Sequence, residues 1–229
     1  MFDLKTLKAT NTIKAGKRPD AILYDSVSRH VLVMNHSGGD ITVIDPAALD
    51  KDPQTIAVGG ALEFAVTDNA GHLFVNVEDK NEIVQIDTKA NKVLAHWPIA
   101  PGEGPTGLAI DIKNHRLFAG CGNQKMVIVD SESGKIVATC PIGKGVDGVA
   151  FDDTLALAMS ADGEDGTVTV IRESAPDKFV VSQTATSVKG ARTIVVDSKN
   201  HQALLPCNVP DAKGGQTFGI AVVGPDIVK

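Results

Sequence analysis

Short apolar runs separated by turn residues dominate the sequence. Runs such as VLVMN at 31–35 and MVIVD at 126–130 are rich in Val and Ile, and Gly, Asn or Asp-Pro interrupts them. Apolar residues do not recur at helical spacing over any long stretch, and the charged stretch KTLKA near the start is too short for a stable helix. The pattern predicts an all-β chain built from short strands.

The strands belong to an internal repeat. An apolar strand that ends in Asp recurs five times, and the spacings between these aspartates are 43, 43, 41 and 45 residues. The aspartates are Asp25, Asp68, Asp111, Asp152 and Asp197. Each precedes a short turn, where an Asp side chain commonly accepts hydrogen bonds from the turn backbone. A second, a third and a looser fourth strand follow each turn.

A four-stranded repeat of this length is typical of a β-propeller blade. One such sheet cannot bury both of its faces alone, so blades pack face to face around an axis. The sequence therefore predicts a single all-β domain over residues 1–229, a β-propeller of four-stranded antiparallel blades. The five predicted blades cover residues of about 16–58, 59–101, 102–143, 144–188 and 189–229.

The last repeat has no fourth strand of its own after FGIAVVG. The start of the chain, FDLKTLKATNTIKAG, is similar to the stretch IDTKANKVLAHWPIAPG at 86–102, which contains a fourth strand. We therefore expect residues 8–14 to add an outer strand to the last blade and close the ring, which would remove an exposed edge. The alternative is a partial ring of a larger propeller that is completed by association with a second copy.

The residues GKRPDAILYD, VLVMN and ITVID of the first repeat, with their copies, resemble the YVTN-type β-propeller family, to which YncE-like proteins belong. The resemblance extends over essentially the whole chain. It implies a propeller fold, commonly with seven blades, and a periplasmic or secreted location in bacteria. It implies little about function because the repeat is degenerate. The chain as given begins without an apolar signal segment, so the sequence leaves the location open.

Charge and composition exclude several classes of partner. The net charge is −6, no basic cluster is present, and no apolar run reaches the roughly 20 residues that span a bilayer. We expect neither nucleic acid nor a membrane as the main partner. Phosphate-binding and nucleophile-elbow motifs are missing, so no nucleotide, haem or flavin and no serine hydrolase is indicated. The three cysteines are widely spaced and are expected to be reduced, with one disulfide as the alternative.

Candidate chemistry lies at one end of the predicted channel, where loops from every blade converge. The innermost strands begin with Asp20, Glu63, Thr106, Asp147 and Arg192, and the second strands end near His36, Val77, Cys121, Ala161 and Cys207. Three carboxylates around a narrow axis require a cation, raised pKa values or cationic neighbours. We therefore expect a divalent metal (Zn²⁺, Mn²⁺ or Ca²⁺) bound by four residues: Asp20, His36, Glu63 and Asp147. The alternative is a water-filled channel whose polar side chains pair with one another.

Two function classes follow from this ring. The first is a metal-dependent hydrolase that acts on a lactone, ester or phosphotriester, with Glu63 or Asp147 as the catalytic base. In that case four residues are expected to contact a small-molecule substrate: Asn76, Cys121, Arg192 and Cys207. The second is a non-catalytic binding or scaffold propeller that takes a protein or peptide on the channel face, including the case of a fragment of a seven-bladed protein. A homo-oligomer is compatible with both.

Overall fold

Five antiparallel sheets make up the protein in a computed structural model that describes residues 1–211 and 214–224. The first blade contains β1 (Pro19–Asp25), β2 (His30–Asn35), β3 (Asp40–Ile44) and β4 (Gln54–Ala57). The second contains β5 (Leu62–Thr67), β6 (His72–Val77), β7 (Glu82–Asp87) and β8 (Lys92–Pro98). A 3₁₀ turn, Glu78–Lys80, lies between β6 and β7.

The remaining three blades continue the same order. The third contains β9 (Pro105–Asp111), β10 (Arg116–Cys121), β11 (Lys125–Asp130) and β12 (Ile136–Pro141). The fourth contains β13 (Val146–Asp152), β14 (Leu157–Asp162), β15 (Thr167–Ala175) and β16 (Lys178–Thr186). The fifth contains β17 (Val195–Asp197), β18 (Gln202–Pro210) and β19 (Gln216–Val223). Within the described residues, no helix is long and apolar enough to cross a bilayer.

Strands within each blade pair in chain order, and the first strand of each blade contacts the first strand of the next. Strands β1, β5, β9, β13 and β17 therefore line the axis in this order, and no core cluster of the described residues joins the fifth blade back to the first. The fold is a β-propeller. The structure confirms the predicted all-β class and the five blades. The repeated aspartates bind turn backbones as predicted: Asp25 Oδ2 accepts a hydrogen bond from Ser28 N at 2.8 Å, and Asp152 Oδ1 accepts one from Thr154 N at 2.9 Å.

The hydrophobic core consists of layers between adjacent blades. Alternate residues of a strand face opposite sides of the sheet, so each blade has one apolar face toward the preceding blade and one toward the next. Between the second and third blades, Phe74 and Ile83 meet Leu117 and Ala119, and all four are at most 1% exposed. Each large apolar side chain buried in this way contributes about 1.5–3 kcal/mol to folding. Four such clusters hold the five blades together.

The predicted closing strand at residues 8–14 is not formed by the described residues, and this prediction was wrong. The fifth blade has three strands there, and Ala9 instead forms an isolated bridge with Phe2. Asp3 explains the difference, because its Oδ1 accepts hydrogen bonds from Thr6 N at 2.7 Å and from Lys5 N at 3.1 Å. This local turn folds the start of the chain onto itself, and a short loop costs less entropy to close than a distant strand pairing.

Candidate metal centre

Irregular pairing at the start of the innermost strands positions the acidic side chains. In the first blade the register between β1 and β2 shifts between Pro19 and Ala21, so Asp20 is an extra residue on β1. The register between β5 and β6 shifts in the same way between Leu62 and Ala65, which brackets Glu63. A β-bulge re-aims the side chain at the irregular position. Asp20 and Glu63 therefore leave the regular alternation of their strands at the end of the channel.

His36 lies directly after β2 in the first blade, whereas Glu63 lies on β5 in the neighbouring second blade. Its N–H donates to Arg18 O at 2.9 Å. The second blade repeats this bond at 2.9 Å from Glu78 N to Ala61 O. The structural counterpart of His36 is therefore Glu78, and the alignment with Val77 in the sequence comparison was one residue off.

Asp20, His36 and Glu63 form a compact cluster. One ligand atom from each side chain lies within 4.8 Å of the others. His36 Nδ1 is 2.8 Å from Glu63 Oε1, and these two side chains are only 11% and 8% exposed. The distance between these two atoms is short enough for an ion pair, but the angle at which they meet is not that of a hydrogen bond. The buried Nδ1 of His36 therefore has no hydrogen-bond partner among the described residues. Asp20 is exposed and forms the solvent side of the cluster.

The electrostatics of the cluster disfavour negative charge on Glu63. Burial, followed by the charge and hydrogen bond of Asp20, raises the pKa of Glu63 to about 8, and the carboxylates of Glu78 and Asp147 act in the same direction. Glu63 is therefore largely protonated at neutral pH when no cation is present. A divalent cation at this point would reverse the balance, because it favours the ionised form of every carboxylate around it.

The fourth predicted metal ligand, Asp147, belongs to a separate pair. Its Oδ2 lies 3.2 Å from Arg192 Nε, and the Arg192 side chain is 69% exposed. Burial raises the pKa of Asp147, and the charge of Arg192 opposes this rise. Three of the four predicted ligands therefore come together, while Asp147 forms an ion pair with Arg192 of the neighbouring blade.

Three of the residues that were predicted to contact substrate are buried within the propeller. Asn76 is fully buried, and its Nδ2 donates at 3.0 Å to Thr106 O and at 3.0 Å to Gly107 O in the next blade. Cys121 and Cys207 are 0% and 7% exposed inside the cores between blades. Their positions follow from strand alternation, since Cys121 shares its side of β10 with two other core residues. Burial also raises the pKa of the Cys121 thiol to about 12.

Sequence reasoning missed two features near the cluster. Glu78 lies close enough to affect the pKa of Glu63, and the turn lengths of the repeats could have revealed it as the counterpart of His36. A cleft of about 350 Å³ also opens beside His36. Its walls are two glycine pairs, at 38–39 and 59–60, with Asp79 at one side. Of the three cluster residues only His36 lines this cleft, and the exposed Asp20 is the side of the cluster that is open to solvent.

Comparisons with known proteins identify the fold and no family. No family model and no curated protein matches the chain. Among solved structures the chain is similar to a chain from Kuenenia stuttgartiensis hydrazine synthase, with a TM-score of 0.78 and 15% sequence identity. The match covers 95% of this chain and 66% of that chain. At this identity the likeness shows the fold alone, so the YVTN-type resemblance stays an expectation from the repeat residues.

Proposed function

We propose that this protein binds one divalent cation at the end of the propeller channel through Asp20, His36 and Glu63. The observation that carries the proposal is the buried His36 Nδ1, which lies 2.8 Å from Glu63 Oε1 without a hydrogen bond, in a side chain that clusters with Asp20 and Glu63. One imidazole nitrogen and two carboxylates are a donor set that suits Zn²⁺ or Mn²⁺. Ca²⁺ prefers six to eight oxygen ligands and fits less well.

Metal analysis tests this proposal, and the chain offers a matched control. His96 Nδ1 lies 2.9 Å from Glu82 Oε1 in a second His–Glu pair, but His96 is 45% exposed and the pair belongs to no three-ligand cluster in the described residues. We expect about one Zn²⁺ or Mn²⁺ per chain in the parent and in His96→Ala. We expect at least about a 100-fold weaker affinity in His36→Ala, since even residues that only support a ligand are worth 10–100-fold.

Either of two results would contradict the metal site. The first is a parent that retains no stoichiometric metal after incubation with Zn²⁺, Mn²⁺ or Ca²⁺. The second is a His36→Ala variant that binds as tightly as His96→Ala. Circular dichroism of each variant checks that the fold is retained.

A metal-dependent hydrolase is the second candidate, and the accessible side of the cluster is the observation that favours it. Three protein ligands leave a coordination position for water, which is the arrangement of catalytic zinc sites. A bound cation would lower the pKa of that water and polarise a lactone, ester or phosphotriester oxygen. Because Glu63 would then be a ligand, Glu78 and Asp147 are the nearby carboxylates left to accept a proton, and we assign this role to Asp147.

Turnover assays separate catalysis from binding alone. The metal-loaded parent is tested on lactones, esters and phosphotriesters, with chelator and with Asp147→Asn. Hydrolysis that needs the metal and falls in Asp147→Asn supports the hydrolase. Stoichiometric metal without hydrolysis of any substrate class leaves a binding propeller and refutes the catalytic part.

A further inference from the structure

The two end blades of the propeller each leave an apolar face exposed. We define the leading face as the side of the first blade turned away from the second: Ile22, Tyr24, Val31, Val33 and Ile44. We define the trailing face as the side of the fifth blade turned away from the fourth: Val195, Leu204, Phe218, Ile220 and Val222. Ile22 and Phe218 are 69% and 71% exposed. None of the four core clusters of the described residues joins these two blades.

The trailing face has the same design as the internal face that packs against a following blade. Strand pairing places Ile220 and Val222 of β19 at the positions of Ile41 and Val43 of β3. Ile41 and Val43 are 0% and 3% exposed because the second blade covers them, whereas Ile220 and Val222 are 54% and 55% exposed. The surface that fits the trailing face is therefore the leading face of a repeat of this kind.

The leading face of the first blade is such a surface. Val33 and Ile44 occupy the positions of Val75 and Ile86 in the second blade, which are both fully buried against the first. The start of the chain covers this face incompletely: Val33 is only 6% exposed, but Ile22 and Tyr24 remain 69% and 56% exposed, and a cavity of about 470 Å³ remains beneath Ile13 and Ala15.

Charge on the two faces is also complementary. Between the fourth and fifth blades, Asp152 Oδ2 pairs with His201 Nδ1 at 2.9 Å. Strand pairing gives Asp197 as the counterpart of Asp152 at the trailing face, and Arg29 as the counterpart of His201 at the leading face. Arg29 and His201 share a left-handed backbone conformation, with φ of 61° and 55°. A contact between the two faces would thus bring opposite charges together where an internal interface has its ion pair.

We propose that the trailing face of one copy of this chain binds the leading face of a second copy, repeating the blade-to-blade packing within each copy. This contact joins two different surfaces, so it propagates unless the copies close into a ring. The described residues of two copies together form ten blades, which exceeds the four to eight blades of ordinary propellers. We therefore expect association that grows with concentration and does not stop at a dimer.

Two blocking variants test the proposal. Ile22→Glu places a charge on the leading face, Ile220→Glu places one on the trailing face, and Leu94→Glu is a control at a 48% exposed position on the outer strand β8. Light scattering should show the parent and Leu94→Glu increasing in mass with concentration, and each blocking variant as a monomer. An equimolar mixture of the two blocking variants should give a species of twice the monomer mass, because each supplies the face that the other lacks.

Other results would overturn the proposal. A parent that stays monomeric at every concentration would mean that something other than a second copy covers these faces. A blocking variant that still dimerises alone would indicate pairing of two identical faces. A mixture that remains monomeric would exclude the head-to-tail contact. Circular dichroism of both blocking variants confirms that they are folded before the masses are compared.

Discussion

Replacing Glu63 with glutamine tests the electrostatics of the cluster in the absence of metal. The pKa of Glu63 is raised from 4.5 to about 8, first by burial and then by Asp20. The folded protein therefore binds this proton more tightly than the unfolded chain does. It follows that this proton contributes fully to the free energy of unfolding below the pKa that Glu63 has in the unfolded chain, about 4.5. The contribution is lost as the pH rises from about 4.5 through 8.

The size of the effect follows from the shift. One pKa unit corresponds to about 1.4 kcal/mol, so the full shift sets an upper limit of about 5 kcal/mol. Asp20 is open to water, which screens part of its interaction with Glu63, so we expect about 2–3 kcal/mol. The neutral amide of glutamine has nearly the shape of the protonated acid, and it does not titrate. Glu63→Gln should thus match the parent at pH 5 and exceed its stability by about 2–3 kcal/mol near pH 9.

Urea unfolding in the presence of a chelator measures this difference at several pH values. Glu132→Gln, at a site 70% exposed, is the matched control and should follow the parent throughout. A Glu63→Gln curve that runs parallel to the parent from pH 5 to 9 would refute the reasoning, since it would mean that Glu63 ionises freely in the folded state. With saturating metal the order should invert, because only the parent gains binding energy.

The remaining predictions concern the ligands, the buried amide, the blade interfaces and the thiols. Metal affinity should rise by up to about tenfold per pH unit between pH 6 and 8, since the Glu63 proton must leave, and calorimetric titration measures it. Asn76→Ala should cost about 1–3 kcal/mol in urea unfolding because two carbonyls lose a donor, and metal affinity should not change. Leu32→Ala and Leu205→Ala should each cost about 2–5 kcal/mol, but only Leu32→Ala should weaken metal binding, because it lies between the first two blades. Cys121 should react with an alkylating agent only after unfolding, as mass spectrometry would show.

The repeat carries most of the information about the fold. Its aspartates mark the turns, and Asp25 pairs with His30 just as Asp111 pairs with Arg116 five residues later. In the first blade the apolar residues of β2 begin at Val31, one residue after the pairing of Asp25 with His30. Aligning the repeats on their apolar residues therefore shifted the first blade by one position relative to the other blades. Turn length is the better guide to register, because a slip of one residue turns every side chain to the other face.

The local features of the site could not be predicted in the same way. A bulge adds one residue without changing the apolar pattern, so nothing in the sequence marks Asp20 as the irregular position of β1. Cys121 is buried because its side of β10 faces the second blade. The register of β10 against its neighbouring strands determines whether this side chain lies in the core or at the channel. Within residues 1–11, Asp3 accepts local hydrogen bonds from the turn that follows it, and these compete with the distant pairing that the repeat suggests.

The cluster arises at a repeat position where neighbouring blades carry different residues. A position that holds Glu78 in the second blade holds His36 in the first, and Glu63 from the second blade meets it across the interface. The repeat backbone fixes where such side chains lie, because every blade presents the same strand ends to the channel. Substitution at single repeat positions can therefore place an imidazole beside a buried carboxylate without altering the packing between blades. The apolar layer between the first two blades sets the distance between the two residues, so the chemistry of the site depends on that layer.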